Sequence, residues 1–252
     1  MNPRVLDPRI PRQVSPGICA LGVMTKAPRA GKVKTRLTPP LTPDEAAELN
    51  IRFLRDIAAA IEVATADGRA RGIGVFTPVG EEAAFDGILP EQFQLVAQRG
   101  ENFGDRLTFA IEDLLLLGFH SACLINSDSP TVPSQAFVEA VETLSAPGDR
   151  VVLGPSDDGG YYLIGVKKLH RQLFSNIDWS TERVLTQTLD RAAELQLAVH
   201  LLPKWYDVDD RATLRRLCDE LFGKNGAGES ATRDYLSAIL QREGRARIWP
   251  NE

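Results

Sequence analysis

Five cations, Lys26, Arg29, Lys32, Lys34 and Arg36, crowd one short stretch, Val23 to Leu37, which reads VMTKAPRAGKVKTRL. Pro28 and Gly31 break any regular element there, an apolar run (Ile18–Met24) precedes it, and a helical pattern begins at Pro43. In an open α/β sheet ligands bind at the carboxyl ends of strands, where the loops gather. A cationic loop in that position needs an anionic partner, and nucleotide phosphates suit it. Arg offers a planar fork to phosphate oxygens and Lys a mobile point charge. Lys26, Lys34, Thr35 and Arg36 are the candidate phosphate ligands. The run is not a P-loop, because Lys32 is followed by Val33 and the required glycine spacing is absent. As a bare pattern it also suits a solvated face.

Carboxylates supply the opposite charge. Asp128 follows a strand of continuous apolar residues and precedes Pro130, so it belongs at a strand-to-loop switch. A carboxylate there can hold Mg2+ or Mn2+ through oxygen, with water and phosphate oxygens completing the octahedron. An Asx-turn that satisfies its own backbone is the alternative. Asp207 and Asp209 lie in Trp-Tyr-Asp-Val-Asp-Asp-Arg. Residues two apart in an extended segment share a face, and like charges that close need a neutralising group. Helix capping by Asp209 or Asp210 competes with that reading. In Asp157-Asp158-Gly159-Gly160-Tyr161-Tyr162 the paired glycines permit either close approach of a ligand or a tight hairpin. Arg106 stands at the front of a helix after Gly100 and Gly104, placed for a phosphate or base contact or for pairing with Glu101 or Asp105. His120, His170 and His200 lack ligand spacing, and no Gly-x-Ser-x-Gly elbow or Cys-His constellation is present.

These residues need a scaffold, and the hydrophobic pattern describes one. Strand patterns fall at 18–24, 72–76, 93–97, 121–126, 151–153, 161–166 and 197–202. Helical patterns fall at 43–66, 103–117, 134–144, 180–195, 211–222 and 231–242. Thr42, Pro43 and Glu45 form a capping-box start. Asn102 with Asp105 marks the second helix start, and Ser180 or Thr181 is the expected cap of the fourth. The alternation implies a mainly parallel sheet covered on both faces. Residues 1–16 read as an irregular arm, 17–222 as the main domain, and 223–252 as a linker and a C-terminal helix whose apolar face could dock on a second copy.

The chain has 252 residues, 43% hydrophobic and 25% charged, with a net charge of −5. That length buries roughly three quarters of the unfolded surface and needs no staples. The acidic balance argues against general nucleic-acid binding, whose footprint is basic. Three scattered cysteines, Cys19, Cys123 and Cys218, do not form a disulfide framework. No apolar run approaches the ~20 residues of a membrane span, and no signal-peptide core is visible. A cytoplasmic protein is expected.

Five stretches together resemble a known bacterial group. They are Thr25–Leu37, Gln98–Leu107 (QRGENFGDRL), Asn126–Pro130 (NSDSP), Gly154–Gly165 (GPSDDGGYYLIG) and Ile177–Thr181 (IDWST). The chain resembles the glycosyltransferase-A-like proteins labelled arsenosugar-biosynthesis-type glycosyltransferases, which are similar in fold to nucleotide-diphospho-sugar transferases and guanylyltransferases. The resemblance implies a three-layer α/β/α fold with a mainly parallel mixed sheet. It implies phosphates on the Lys26–Arg36 loop with Gly159 and Gly160 nearby, and metal at Asp128 with a second contact at Asp209. Asp158 or Asp207 would be the general base for an acceptor hydroxyl. Ser127-Asp128-Ser129 stands where glycosyltransferases carry Asp-x-Asp. The implied activity is metal-dependent transfer from a nucleotide-sugar to a small-molecule acceptor. The alternatives are nucleotidyl transfer to a phosphorylated small molecule with release of pyrophosphate, and a nucleotide-binding regulator without turnover.

Overall fold

The computed structural model describes residues 4–10, 14, 17–223, 228 and 230–248. Most of the arm's prolines and most of the 223–230 linker fall outside the described residues. Seven strands form a single sheet: β1 (Cys19–Lys26), β2 (Ala70–Thr77), β3 (Gln94–Ala97), β4 (Ser121–Ile125), β5 (Arg150–Pro155), β6 (Tyr161–Val166) and β7 (Ala198–Leu201). Their spatial order is β3-β2-β1-β4-β6-β5-β7. β1 pairs in parallel with β2 and β4, β2 with β3, and β5 with β7. β6 runs antiparallel between β4 and β5. The sheet is therefore mixed and mainly parallel, and its order reverses direction between β1 and β4.

Side chains alternate across a strand, and β1 shows why the sheet needs cover on both faces. Cys19, Leu21 and Val23 join one core with Leu54, Ile57 and Ile61 of α1 (Pro43–Thr65) and Phe137 and Ala140 of α3 (Ser134–Ser145). Ala20 points the other way, into a core with Leu107, Ile111 and Leu114 of α2 (Phe103–Leu116) and Ala192 of α4 (Val184–Glu194). The architecture is three-layered, α/β/α.

A third core lies beyond the sheet. It joins Leu49 and Phe53 of α1 to Leu214 and Leu217 of α5 (Arg211–Phe222) and to Leu236 and Ile239 of α6 (Ala231–Glu243). The Asp56 carboxylate accepts the first N–H groups of α6, from Ala231 at 2.8 Å and Thr232 at 2.9 Å. Leu236 and Ile239 of the C-terminal helix thus pack within their own chain, on α1 and α5. The arm also departs from an irregular reading. Val5 bridges to Leu95, and Arg4 and Leu6 exchange backbone hydrogen bonds with Leu95, so this segment covers the β3 edge.

Local chemistry explains most helix starts. Thr42 and Glu45 form the reciprocal capping box of α1, at 3.2 Å and 2.9 Å. Asn102 caps α2 by accepting the Asp105 N–H at 2.8 Å. The fourth helix departs from expectation, because α4 begins at Val184 and neither Ser180 nor Thr181 is its N-cap. Ser180 is left-handed at φ 64°, and the Thr181 hydroxyl is turned to the Asp178 carbonyl at 2.7 Å. Leu185 N–H donates to Gly159 O at 2.8 Å, so tertiary contact with the β5–β6 hairpin claims this first turn.

Candidate active site

A cavity of about 790 Å3 opens at the carboxyl ends of β1 and β4 and the amino end of the antiparallel β6. Lys34 is its central cation. It leads a single 3-10 turn, Thr35–Leu37, and is itself left-handed at φ 48°. A side chain in that backbone region costs about 1 kcal/mol and persists where surroundings over-determine it. The surroundings here are specific. The ammonium lies 2.5 Å from Asp128 Oδ1 and 3.1 Å from Asp209 Oδ1. It donates to the Val208 carbonyl at 2.8 Å and sits 5.3 Å from the centre of the Phe53 ring. Its side chain is only 4% exposed, whereas Asp128 and Asp209 are 34% and 45% exposed.

The 205–209 segment is held in place by backbone pairing. Trp205 N–H donates to Pro155 O at 2.9 Å, and Val208 N–H donates to Asp128 O at 2.8 Å. Asp210 then takes the capping role, accepting the Thr213 N–H at 2.8 Å, which leaves Asp207 and Asp209 to the cavity. Asp207 Oδ1 accepts from Ser129 Oγ at 2.8 Å, Asn126 Nδ2 at 2.9 Å and Ser156 Oγ at 3.1 Å. Burial pushes its pKa up to about 6, with the charges of Asp158, Asp128 and Asp209 acting in the same direction. The Asx and ST chemistry of Asn126-Ser127-Asp128-Ser129 is thus spent largely on seating Asp207.

Of the proposed phosphate ligands, Lys26, Lys34, Thr35 and Arg36 line this cavity, joined by Lys32. Arg29 turns away to Glu81. Arg106 does not line it, because the α2 helix offers Phe103 and Leu107 there instead. The glycine pair lies between β5 and β6. Gly159 N–H donates to Ser156 O and its carbonyl accepts from Leu185; Gly160 N–H donates to Asp158 Oδ1 at 2.9 Å and its carbonyl accepts from Ser156. Both backbones are hydrogen-bonded inside a tight hairpin, the turn that the paired glycines also permitted, and Gly160 lines the cavity. Gly159 is left-handed at φ 86°, and a Cβ there would stand 2.2 Å from the Glu182 carbonyl oxygen. Gly159→Ala is expected to cost about 1–3 kcal/mol through strain and overpacking. Urea-denaturation midpoints measure this, and an unchanged midpoint would mean that the Glu182 backbone yields.

Three lining residues carry no signal of the kind sought in the sequence. Asn50 of α1 is 3% exposed, and its Oδ1 is buried with no hydrogen-bond partner among the described residues. It occupies a core-facing position four residues after Ala46, which is the signal that could have marked it. Phe103 and Trp179 meet edge to face, ring centres 5.2 Å apart at 76°. Phe103 is 50% exposed at the cavity rim. Trp179 rests on Gly104, where a Cβ would stand 2.6 Å from its Nε1.

Asp128, Asp158, Asp207 and Asp209 give the cavity a wall of hard oxygen donors. Among the described residues no three carboxylate, histidine or cysteine groups converge into a ready metal cage. Such a wall fits a cation of the Mg2+ type, which takes one or two carboxylates and completes its shell with phosphate oxygens and water. Lys34 meanwhile neutralises Asp128 and Asp209.

No functionally curated protein matches the chain. A family described as "Uncharacterized protein conserved in bacteria (DUF2064)" matches residues 60–181. Among solved structures, a nucleotidyl transferase from Methanothermobacter shares the fold at 16% identity, with a TM-score of 0.53 over 81% of this chain and 97% of that one. A cytidylyltransferase from Leptospira borgpetersenii does so at 10% identity, with a TM-score of 0.51 over 94% of this chain and 98% of that one. A protein from Desulfovibrio desulfuricans G20, provisionally named a nucleotide-diphospho-sugar transferase, is 30% identical over 92% of this chain and 97% of its own, with a TM-score of 0.79. Identity at that level over nearly the whole length of both proteins means that the chain belongs to the family of this Desulfovibrio protein.

Proposed function

We propose that the protein is a metal-dependent glycosyltransferase that binds a nucleoside diphosphate sugar in this cavity. The observation that carries the reading is the buried Lys34 ammonium held between Asp128 and Asp209, beside Lys26, Lys32 and Arg36. A diphosphate is the anion that such a cluster accommodates, and electrostatic stabilisation of a departing diphosphate is the main catalytic demand of sugar transfer. Asp128 and Asp209 would hold the metal, which when bound supplies Lewis-acid neutralisation of the leaving group. Lys34 then passes from carboxylate to phosphate oxygens, with Lys26, Thr35 and Arg36 on the same anion.

An acceptor hydroxyl attacks the anomeric carbon, forming a new C–O bond. The bond from that carbon to the β-phosphate oxygen breaks, the nucleoside diphosphate leaves, and the hydroxyl proton goes to a carboxylate. Asp207, with its pKa pushed up to about 6, suits that task better than the exposed Asp158. The finer assignment implied by the motifs, an arsenosugar-biosynthesis-type transferase, is part of this proposal. So are Mg2+ or Mn2+ as the cofactor and a small-molecule acceptor as the second substrate.

The test is a thermal-shift panel of UDP, GDP, CDP and ADP with Mg2+ or Mn2+, followed by incubation with the matching nucleotide-sugar. A bound diphosphate raises the melting temperature by mass action, and turnover releases that diphosphate. Pyrophosphate release from a nucleoside triphosphate with a phosphorylated acceptor would instead identify a nucleotidyltransferase. Nucleotide binding without product from any acceptor would identify a regulator.

Asn50 carries a separate prediction, since a buried amide oxygen without a hydrogen-bond partner among the described residues destabilises the fold. Asn50→Leu is expected to raise stability by about 1 kcal/mol, read from urea-denaturation midpoints. A loss of stability would mean that the amide is paired.

A further inference from the structure

Besides its charged groups the cavity is lined by an apolar set, Met24, Phe103, Leu107, Leu124, Ile164 and Trp179, with Ser180, Thr181 and Glu182 following the indole. Leu107, Leu124 and Ile164 are buried, and Phe103 presents a half-exposed ring that meets the indole edge to face. An aromatic pair open at a rim loses contact area to water unless a flat apolar group covers it. The set's strand residues come from β1, β4 and β6, and none from β2 or β3. The same cavity is lined by Asp158 of the β5–β6 hairpin and by Asp207, which the Ser156 hydroxyl addresses.

We propose that this apolar set lines the acceptor subsite and that the acceptor is an uncharged molecule with an apolar, ring-bearing body and a free hydroxyl. The assignment rests on the transferase reading above. A ring packed on Phe103 and Trp179 brings its hydroxyl towards Asp207, and the neighbouring carboxylates repel a phosphorylated acceptor. Diphosphate and acceptor then enter by chemically different walls, cationic and aromatic, which keeps their order in the cavity unambiguous.

Phenyl β-D-glucoside and glucose 6-phosphate are the probes, titrated by calorimetry with and without a saturating nucleoside diphosphate and Mg2+. The wild type is expected to bind the phenyl glucoside and to bind glucose 6-phosphate at least ten-fold more weakly. Phe103→Ser, at a half-exposed site that folding tolerates, is expected to weaken glucoside binding at least five-fold while diphosphate affinity stays within two-fold. Trp179→Phe keeps a ring against Gly104 and should give an intermediate loss. Equal binding of the glucoside to wild type and Phe103→Ser, or preference for glucose 6-phosphate, overturns the proposal. So does a matching loss of diphosphate affinity in Phe103→Ser, which would place the nucleobase against the apolar set. Failure of the transferase reading appears separately, as absence of any diphosphate binding by the wild type.

Discussion

Lys34→Met is expected to slow transfer by about 100- to 1000-fold, the loss that follows removal of one preorganised charge partner of a leaving group. Diphosphate affinity should fall by about 1.5–3 kcal/mol, the range of a charged hydrogen bond, while the fold stays intact. Methionine preserves the stem that packs near Phe53. The two carboxylates left behind are 34% and 45% exposed, so water takes up much of their charge. The Lys34 side chain itself is only 4% exposed and its ammonium also satisfies the Val208 carbonyl, so urea denaturation should show a loss of about 1–3 kcal/mol, the cost of leaving its partners unsatisfied. Asp128→Asn tests the opposite charge and should remove most of the divalent-dependent part of nucleotide binding. If Lys34→Met binds diphosphate as the wild type does, the ammonium only ties its loop to the 205–209 segment.

Asp207→Asn should do the reverse of an ordinary catalytic knockout, lowering activity by about 100- to 10000-fold while making the protein more stable at neutral pH. The folded-state pKa of about 6 lies above the ordinary 3.8, chiefly because of burial. The folded chain therefore binds this proton more tightly than the unfolded chain does. That preference favours folding below about pH 4 and is lost as the pH rises through 6. A two-unit shift corresponds to at most roughly 3 kcal/mol. Asparagine keeps the Oδ1 that Asn126, Ser129 and Ser156 address but has no proton to lose. The expected result is a gain of about 1–3 kcal/mol at pH 7, a stability difference from wild type that grows between pH 4 and 6, and disappearance of the limb near pH 6 in kcat/KM. A variant no more stable at pH 7 than at pH 4 relative to wild type would show that Asp207 is not strained by its burial.

Several features were legible because they are local. The capping box at Thr42–Glu45 and the Asn102 cap depend only on residues three apart. The alternation of Cys19, Ala20, Leu21 and Val23 describes a strand buried on both sides wherever its partners lie. The β6 inversion was not legible, since Tyr161–Val166 reads as the same apolar run in either direction. Helix α4 starts at Val184, two or three residues later than a cap at Thr181 or Ser180 implies, because Gly159 admits the 182 backbone and Leu185 bonds across to it. The glycine pair itself was ambiguous in sequence, and only the hairpin hydrogen bonds show the turn.

By itself, then, the chain's order of residues determined an α/β sheet with a cationic loop after its first strand and acidic residues after later ones. Composition and short-range periodicity carry that information, and they act over a few residues. Tertiary structure alone decided which charges meet. Lys34 and Asp209 are far apart in the chain, and their 3.1 Å contact exists because parallel strands deliver both loops to the same sheet edge. Phe103, Trp179 and Asn50 belong to the cavity lining for the same reason: their chemistry is ordinary in sequence, and packing is what leaves an aromatic ring half-exposed at the rim and an amide oxygen buried without a partner among the described residues.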